Sequence, residues 1–220
     1  MRKLALLVHM LVALLYTQTT SAICIGRFCV FDFAVFHSNS RFVEPEPDLK
    51  QLEALGDKAG QSKNWELALK YYKQLVQARP DIANYHYKYG GALGMLAKES
   101  NKFKALGMIG EIKKSFETAI KLNRNHIEAR YALVELYLEL PGIVGGSERK
   151  AQQYASELLT ISPIDGNLAK GRIAEYFKRY KQAESFYLQA HKIGNSKVTK
   201  QKLINLYKLT KQFDKLQNLG

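Results

Sequence analysis

Five histidines and two cysteines are the side chains of this 220-residue chain best suited to metal binding or nucleophilic chemistry, and their spacing supports neither. His9, His37, His86, His126 and His191 stand singly, without an HExxH pair and without a serine, cysteine or carboxylate at a spacing that would build a proton relay. Cys24 and Cys29 are too few for a zinc site, and Asp32 and His37 nearby form no ligand spacing with them. The two either close a small disulfide loop in an oxidising compartment or remain buried or free thiols. The run Gly142-Ile-Val-Gly-Gly-Ser147-Glu-Arg-Lys150 has the glycine content of a phosphate loop, but the Gly-Lys-Ser/Thr order is absent and helical periodicity precedes it. Ser147 is expected instead to N-cap a helix with Glu148 in its first turn. No catalytic set, metal site or cofactor site follows from these residues. An enzyme, or an accessory subunit of one, is the weakest functional class.

The chemistry that remains is that of surfaces. Thirty-three Lys and Arg against twenty Asp and Glu give a net charge of +13, which favours anionic neighbours without naming one. Twelve basic residues against three acidic ones lie between Lys170 and the C-terminus, so the excess is concentrated at that end. It either attracts anionic lipid or an acidic partner, or keeps helix backs soluble. Arg2 and Lys3, an apolar run from Leu4 to Leu15 and a small-residue end at Thr20-Ser21-Ala22 have the layout of a secretory signal over residues 1–22. The run is too short to span a bilayer. Export to a bacterial periplasm is the expectation, with secretion or an endoplasmic lumen as the alternative. Residues 23–36, ICIGRFCVFDFAVF, are almost wholly apolar and aromatic, and must pack on the chain, a membrane interface or another chain, or remain as a remnant of the export segment. Pro45 and Pro47 then mark a linker up to residue 47.

From Asp48, a suitable N-cap, the apolar residues fall at spacings of three and four. Leu52, Leu55, Gly56 and Ala59 share one stripe, and Trp65, Ala68, Leu69, Tyr72, Leu75 and Val76 share a second, with Gln-Ser-Lys-Asn between them and Pro80 at the end. Each stripe predicts a helix with one buried face. Two short amphipathic helices cannot enclose a core alone, so similar pairs must follow. They do: Tyr89-Gly90-x2-Leu93 with Ile112-x3-Phe116-x2-Ala119; Leu133-x3-Tyr137 with Ala151-x3-Ala155-x2-Leu158-x4-Pro163; Gly171-x2-Ala174 with Ala183-x3-Tyr187-x2-Ala190; and a degenerate Leu203-x3-Tyr207 with Phe213 and Leu216. The second pair is ten residues longer than the first, which predicts an extended first helix and an enlarged connection over 97–110. The third holds an extra turn at 141–146.

Leu52-x2-Leu55-Gly56-x2-Ala59, then Ala68-x3-Tyr72, then Pro80, repeated in register, resembles the tetratricopeptide repeat, with Leu52 in place of the usual Trp and Ala59 in place of Tyr. The resemblance covers residues 48–220 and implies an all-α right-handed solenoid of about five helix-turn-helix units, bounded near 49–81, 82–125, 126–163, 164–196 and a capping unit at 197–220. It also implies a non-enzymatic scaffold whose first helices line a concave groove for a protein or peptide. By register that groove takes Glu53 and Asp57; Asn84, Tyr87 and Met95; Glu128, Tyr131, Glu135 and Glu139; and Leu168, Arg172, Glu175 and Tyr176. This is an acidic groove with tyrosines. The family's Lys/Asn/Arg clamp for chaperone carboxylate tails is not matched, because Glu53 and Asp57 stand where its first Lys and Asn would be. A membrane-surface adaptor using the apolar tail and the basic C-terminal end is the alternative. Nucleic acid is not an expected partner, since no binding module of that kind is readable.

Overall fold

The computed structural model of the protein describes residues 48–217. The expected signal segment over 1–22, the expected tail and linker over 23–47, and with them Cys24 and Cys29, lie outside the described residues. Ten α-helices, one 3-10 turn and no strand occupy the described part. In chain order they are α1 (Leu49–Gln61), α2 (Trp65–Ala78), α3 (Ala83–Glu99), α4 (Lys102–Leu122), α5 (Ile127–Glu139), the 3-10 turn Gly142–Val144, α6 (Glu148–Ile161), α7 (Pro163–Tyr176), α8 (Tyr180–Gly194), α9 (Lys197–Leu209) and α10 (Phe213–Gln217). Each helix packs on its predecessor and its successor in the chain. Successive pairs therefore make five stacked antiparallel units, the all-α solenoid that the periodicity requires.

Local chemistry sets the helix starts. Asp48 Oδ1 accepts from the amides of Lys50 and Gln51, Asn64 Oδ1 from Leu67, Asn101 Oδ1 from Lys104 and Ser147 Oγ from Lys150. Each satisfies donors that the first helical turn leaves unpaired. Ser162 is both the last cap of α6 and the first cap of α7, with Pro163 in the first helical position, so the third and fourth units are joined by one residue. The extra turn at Pro141–Gly146 is present, and its Gly145 has φ +103°. The enlarged connection over 97–110 is not. The turn between α3 and α4 is only Ser100-Asn101, and the additional length lies in the helices, α3 having 17 residues and α4 having 21 against 13 and 14 in the first unit. Gly107 and Gly110 are helical, with open space where a side chain would stand.

Three other turns share one backbone. In Ser62-Lys63-Asn64, Phe177-Lys178-Arg179 and Thr210-Lys211-Gln212 the central lysine has φ of +58°, +58° and +57°. The amide that follows it bonds back to a carbonyl five residues earlier: Asn64 to Ala59, Arg179 to Ala174, Gln212 to Tyr207. This is the Schellman ending of a helix, whose left-handed position normally takes glycine or asparagine.

The core is a row of crossings between first and second helices. A Cβ on Gly56 would lie 2.6 Å from the Tyr72 ring, one on Gly90 would lie 3.0 Å from the Phe116 ring and one on Gly171 would lie 2.3 Å from the Tyr187 ring. At the same register the third unit carries Val134 and Ala155, both fully buried, so the larger residue has moved to the first helix and the smaller to the second. Two apolar clusters result. One runs from Ala59 to Ile173, the other from Leu168 to Tyr207, and Tyr131 packs against both.

Gly171→Ala should lower stability by about 1–3 kcal/mol through overpacking against Tyr187, whereas Gly91→Ala, with nothing near its Cβ position, should raise it by roughly 0.5–1 kcal/mol through helix propensity; urea denaturation followed by circular dichroism separates them. His126, 7% exposed, caps α5 by accepting the Ala129 amide at Nδ1. Burial, which the Glu128 carboxylate offsets in part, holds its pKa below the ordinary value. As pH falls below about 6.5 the unfolded chain takes up this proton before the folded one, so stability should fall in that range. His126→Asn, which retains a cap, should flatten this part of the pH profile.

Candidate functional site: the first-helix face

The first helices α1, α3, α5 and α7 stand side by side and are tied together by ion pairs that span 31 to 41 residues of sequence. Lys88 on α3 reaches back to α1, its Nζ 2.7 Å from Glu53 Oε1 and 2.6 Å from Asp57 Oδ1. Asp57 also accepts the Tyr72 hydroxyl at 2.7 Å, and Asn84 Nδ2 donates to Glu53 at 3.4 Å. Burial on its own would lower the pKa of Lys88, but the hydrogen bonds and charges of Asp57 and Glu53 outweigh it and hold the ammonium group above its ordinary value. Lys98 Nζ meets Glu139 at 3.0 Å, linking α3 to α5, and Arg172 Nε donates to Glu135 Oε1 at 2.9 Å, linking α7 to α5.

Glu53, Asp57, Glu135 and Glu139 are thus brought onto one face, each already paired with a cation of the neighbouring unit, Glu53 and Asp57 sharing Lys88. Glu175 accepts the Tyr187 hydroxyl at 2.7 Å, and the exposed Glu128 lies 3.2 Å from His126 Nδ1. The face keeps more carboxylates than cations, yet it is a ladder of compensated charge, not an open acidic trough. Tyr87 is half-buried, its ring 6.1 Å from that of Phe116 and 5.2 Å from that of His126. Tyr131 is drawn into the core, where burial and then the Glu135 charge push its phenol well above the ordinary range. Leu168 is 6% exposed and belongs to the core, which removes it from the groove because its side of α7 packs inward.

What stays open is apolar and aromatic. Met95 is 37% exposed, and Tyr176 is 43% exposed with the Phe177 ring edge-on at 5.1 Å. The Arg172 guanidinium carbon sits 5.7 Å from the Tyr176 ring centre, and among the described residues its two Nη atoms carry no hydrogen bond. A ligand would meet an aromatic shelf with the N–H groups of two unbonded Nη atoms beside it, suited to a backbone carbonyl or a carboxylate. Lys88 and Lys98 are not among the residues that register assigns to the groove. A signal is available, since Lys88 follows Asn84 by four residues and Lys98 follows Met95 by three, placing both on the same stripe. Among the described residues no group of three His, Cys, Asp or Glu is placed to hold a metal ion.

The helical stack is similar to several solved structures. The chain is similar to TTC0263, a thermophilic TPR protein of Thermus thermophilus, with a TM-score of 0.60 and 15% identity over 78% of this chain and 87% of that one. It is similar to human IFIT1, solved as a dimer with PPP-AAAA, with a TM-score of 0.63 and 24% identity over 78% of this chain but only 41% of IFIT1. MamA residues 41 to the end from Desulfovibrio magneticus RS-1 match with a TM-score of 0.51 at 15% identity, covering 78% of this chain and 90% of that one. No family model matches the sequence, and no curated protein does. The fold is that of the tetratricopeptide-type helical solenoids.

Lys88→Met keeps the packed stem and removes the charge that two carboxylates share. It should cost about 1–2 kcal/mol in urea denaturation, with amide protection lost first in α1 and α2 and helical content unchanged.

Proposed function

We propose that the protein is a non-enzymatic scaffold that holds a segment of another protein on its first-helix face. The observation that carries this reading is the combination of a fixed floor and an open shelf: ion pairs lock α1, α3, α5 and α7 to one another, while Met95 and Tyr176 are left exposed with the half-buried Arg172 guanidinium beside the Tyr176 ring. Exposed aromatic and arginine side chains on a preorganised surface are what interface energetics favour, because little ordering remains to be done on binding. The tetratricopeptide-type fold of the neighbours, one of them solved as a dimer, is consistent with a surface-based role. The layout of residues 1–22 supports placing the scaffold outside the cytosol, and the partner is then an exported or surface protein.

A photo-crosslinking residue at position 176 tests this in the host cell. It should capture a discrete partner protein, whereas the same residue at position 188, where Leu188 is 44% exposed on a second helix, should not. Arg172→Ala together with Met95→Ala should weaken that capture by tenfold or more with helical content intact. Equal capture from both positions would remove the first-helix face as the binding surface.

A further inference from the structure

We propose that the edge of the array formed by its five within-unit turns docks onto the surface of an anionic phospholipid bilayer. This edge borders the first-helix face, with which it shares the Lys98–Glu139 pair and Phe177, but it does not rest on that face's reading.

The turns are neighbours along one side. The Trp65 indole donates to Glu99 across 2.7 Å, joining the first turn to the second, and the two share a cleft lined by Lys63, Leu96 and Lys104. Lys98 with Glu139 joins the second to the third, Arg179 with Glu148 the fourth to the third, and Lys215 with Glu184 the fifth to the fourth.

Three properties of this edge go together. First, it holds the two most exposed large apolar side chains among the described residues, Ile143 at 97% on the third turn and Phe103 at 89% on the second. Neither Ile143 nor Phe103 has a packing role that would explain it. Second, Lys63, Lys178 and Lys211 occupy the left-handed position of three Schellman endings, and among the described residues no ion pair holds any of their ammonium groups. On the opposite edge the left-handed position is taken by Asn195, as the backbone prefers. A residue type that the local conformation disfavours, placed three times on one edge and left unpaired, points to a use for its charge. Third, counting the turns and four residues on either side, thirteen Lys and Arg stand against six Asp and Glu, so the edge is net positive.

Lysines interleaved with protruding apolar side chains are the pattern of an interfacial binder, the ammonium groups meeting lipid phosphates while the apolar groups enter the headgroup boundary. Nucleic acid would use the same charge but stacks on π-faces, and Ile143 offers none. Helix backs made soluble by charge would not bring Ile143 and Phe103 into water.

The test is flotation of the full chain with vesicles of phosphatidylglycerol and phosphatidylcholine and with vesicles of phosphatidylcholine alone, at physiological salt. The wild type should float with the first and not the second. Lys63→Gly, Lys178→Gly and Lys211→Gly combined should reduce partitioning about a hundredfold, the effect of about 1 kcal/mol per lysine near anionic lipid. The combined variant should unfold at the same or a higher temperature, because glycine is at ease in these three positions. Phe103→Ser with Ile143→Ser should weaken binding by tenfold or more without loss of helix, both sites being almost fully exposed. All variants carry the same residues 1–47, so a difference between them belongs to the edge. The proposal is overturned if the wild type ignores anionic vesicles, if it floats equally with both kinds, or if the glycine variant binds as well as the wild type. Retention of single-stranded RNA without vesicle binding would assign the edge to nucleic acid instead. Lys63→Gly with Lys211→Gly, both in other turns, should leave crosslinking from position 176 unaffected, which keeps failure of the edge distinct from failure of the first-helix face.

Discussion

Each unit depends on how closely its two helices can cross. The ring of Tyr72, Phe116 or Tyr187 lies against backbone that has no side chain, at Gly56, Gly90 and Gly171 respectively. That contact fixes the separation and angle of the pair, and the small residues Ala68 and Ala183, fully buried in the second helices, keep the remaining approach short. Without it the pair would splay, and the face that stacks on the next unit would lose its complement. Because each unit touches little beyond its neighbours, an error in one crossing is passed to the next interface and not absorbed by a common core.

The hydroxyls on those rings tie packing to electrostatics. Tyr72 donates to Asp57 and Tyr187 to Glu175, while Tyr207, on a first helix, donates to Glu184, and burial followed by the carboxylate partner raises all three phenols. The Tyr207 phenol, for instance, is pushed up to about 12. Asp57 serves Tyr72 within its own unit and Lys88 in the next. One carboxylate therefore links the internal geometry of a unit to its stacking on a neighbour. Partly buried pairs of this kind add little net stability, but removing one member leaves the other uncompensated, which makes the ladder a device for specifying arrangement.

Much of the fold was legible because its signals are local. Asp48, Asn64 and Ser147 announce helix starts through their own side chains, and the Gly/aromatic spacing repeats within about thirty-four residues. The second unit departs from its expected form for an equally local reason: Ser100, Asn101, Gly107 and Gly110 look like loop composition, yet the two glycines sit on an open helix side where nothing penalises them. The site was legible only in outline. Register could choose the stripe holding Glu135 and Arg172, but that these two would spend their charges on each other depends on how two units stack, which no window of sequence contains. Leu168 is interior, and Tyr131 is partly covered, for the same reason, since an exposed position in one unit is covered when the next is laid against it.

The unequal lengths of the units bear on how the chain finds its own order. A stack of interchangeable helix pairs can close on the wrong neighbour, skipping a unit or borrowing one from a second molecule. Here α4 is about 30 Å long, roughly 10 Å longer than α2, and the third unit reverses the large and small partners of its crossing at Val134 and Ala155. No two successive interfaces are copies of each other. The long helix works as a key cut to a single lock, so that the irregularity of the second unit serves fidelity of assembly, in a chain whose repeats would otherwise be free to mispair.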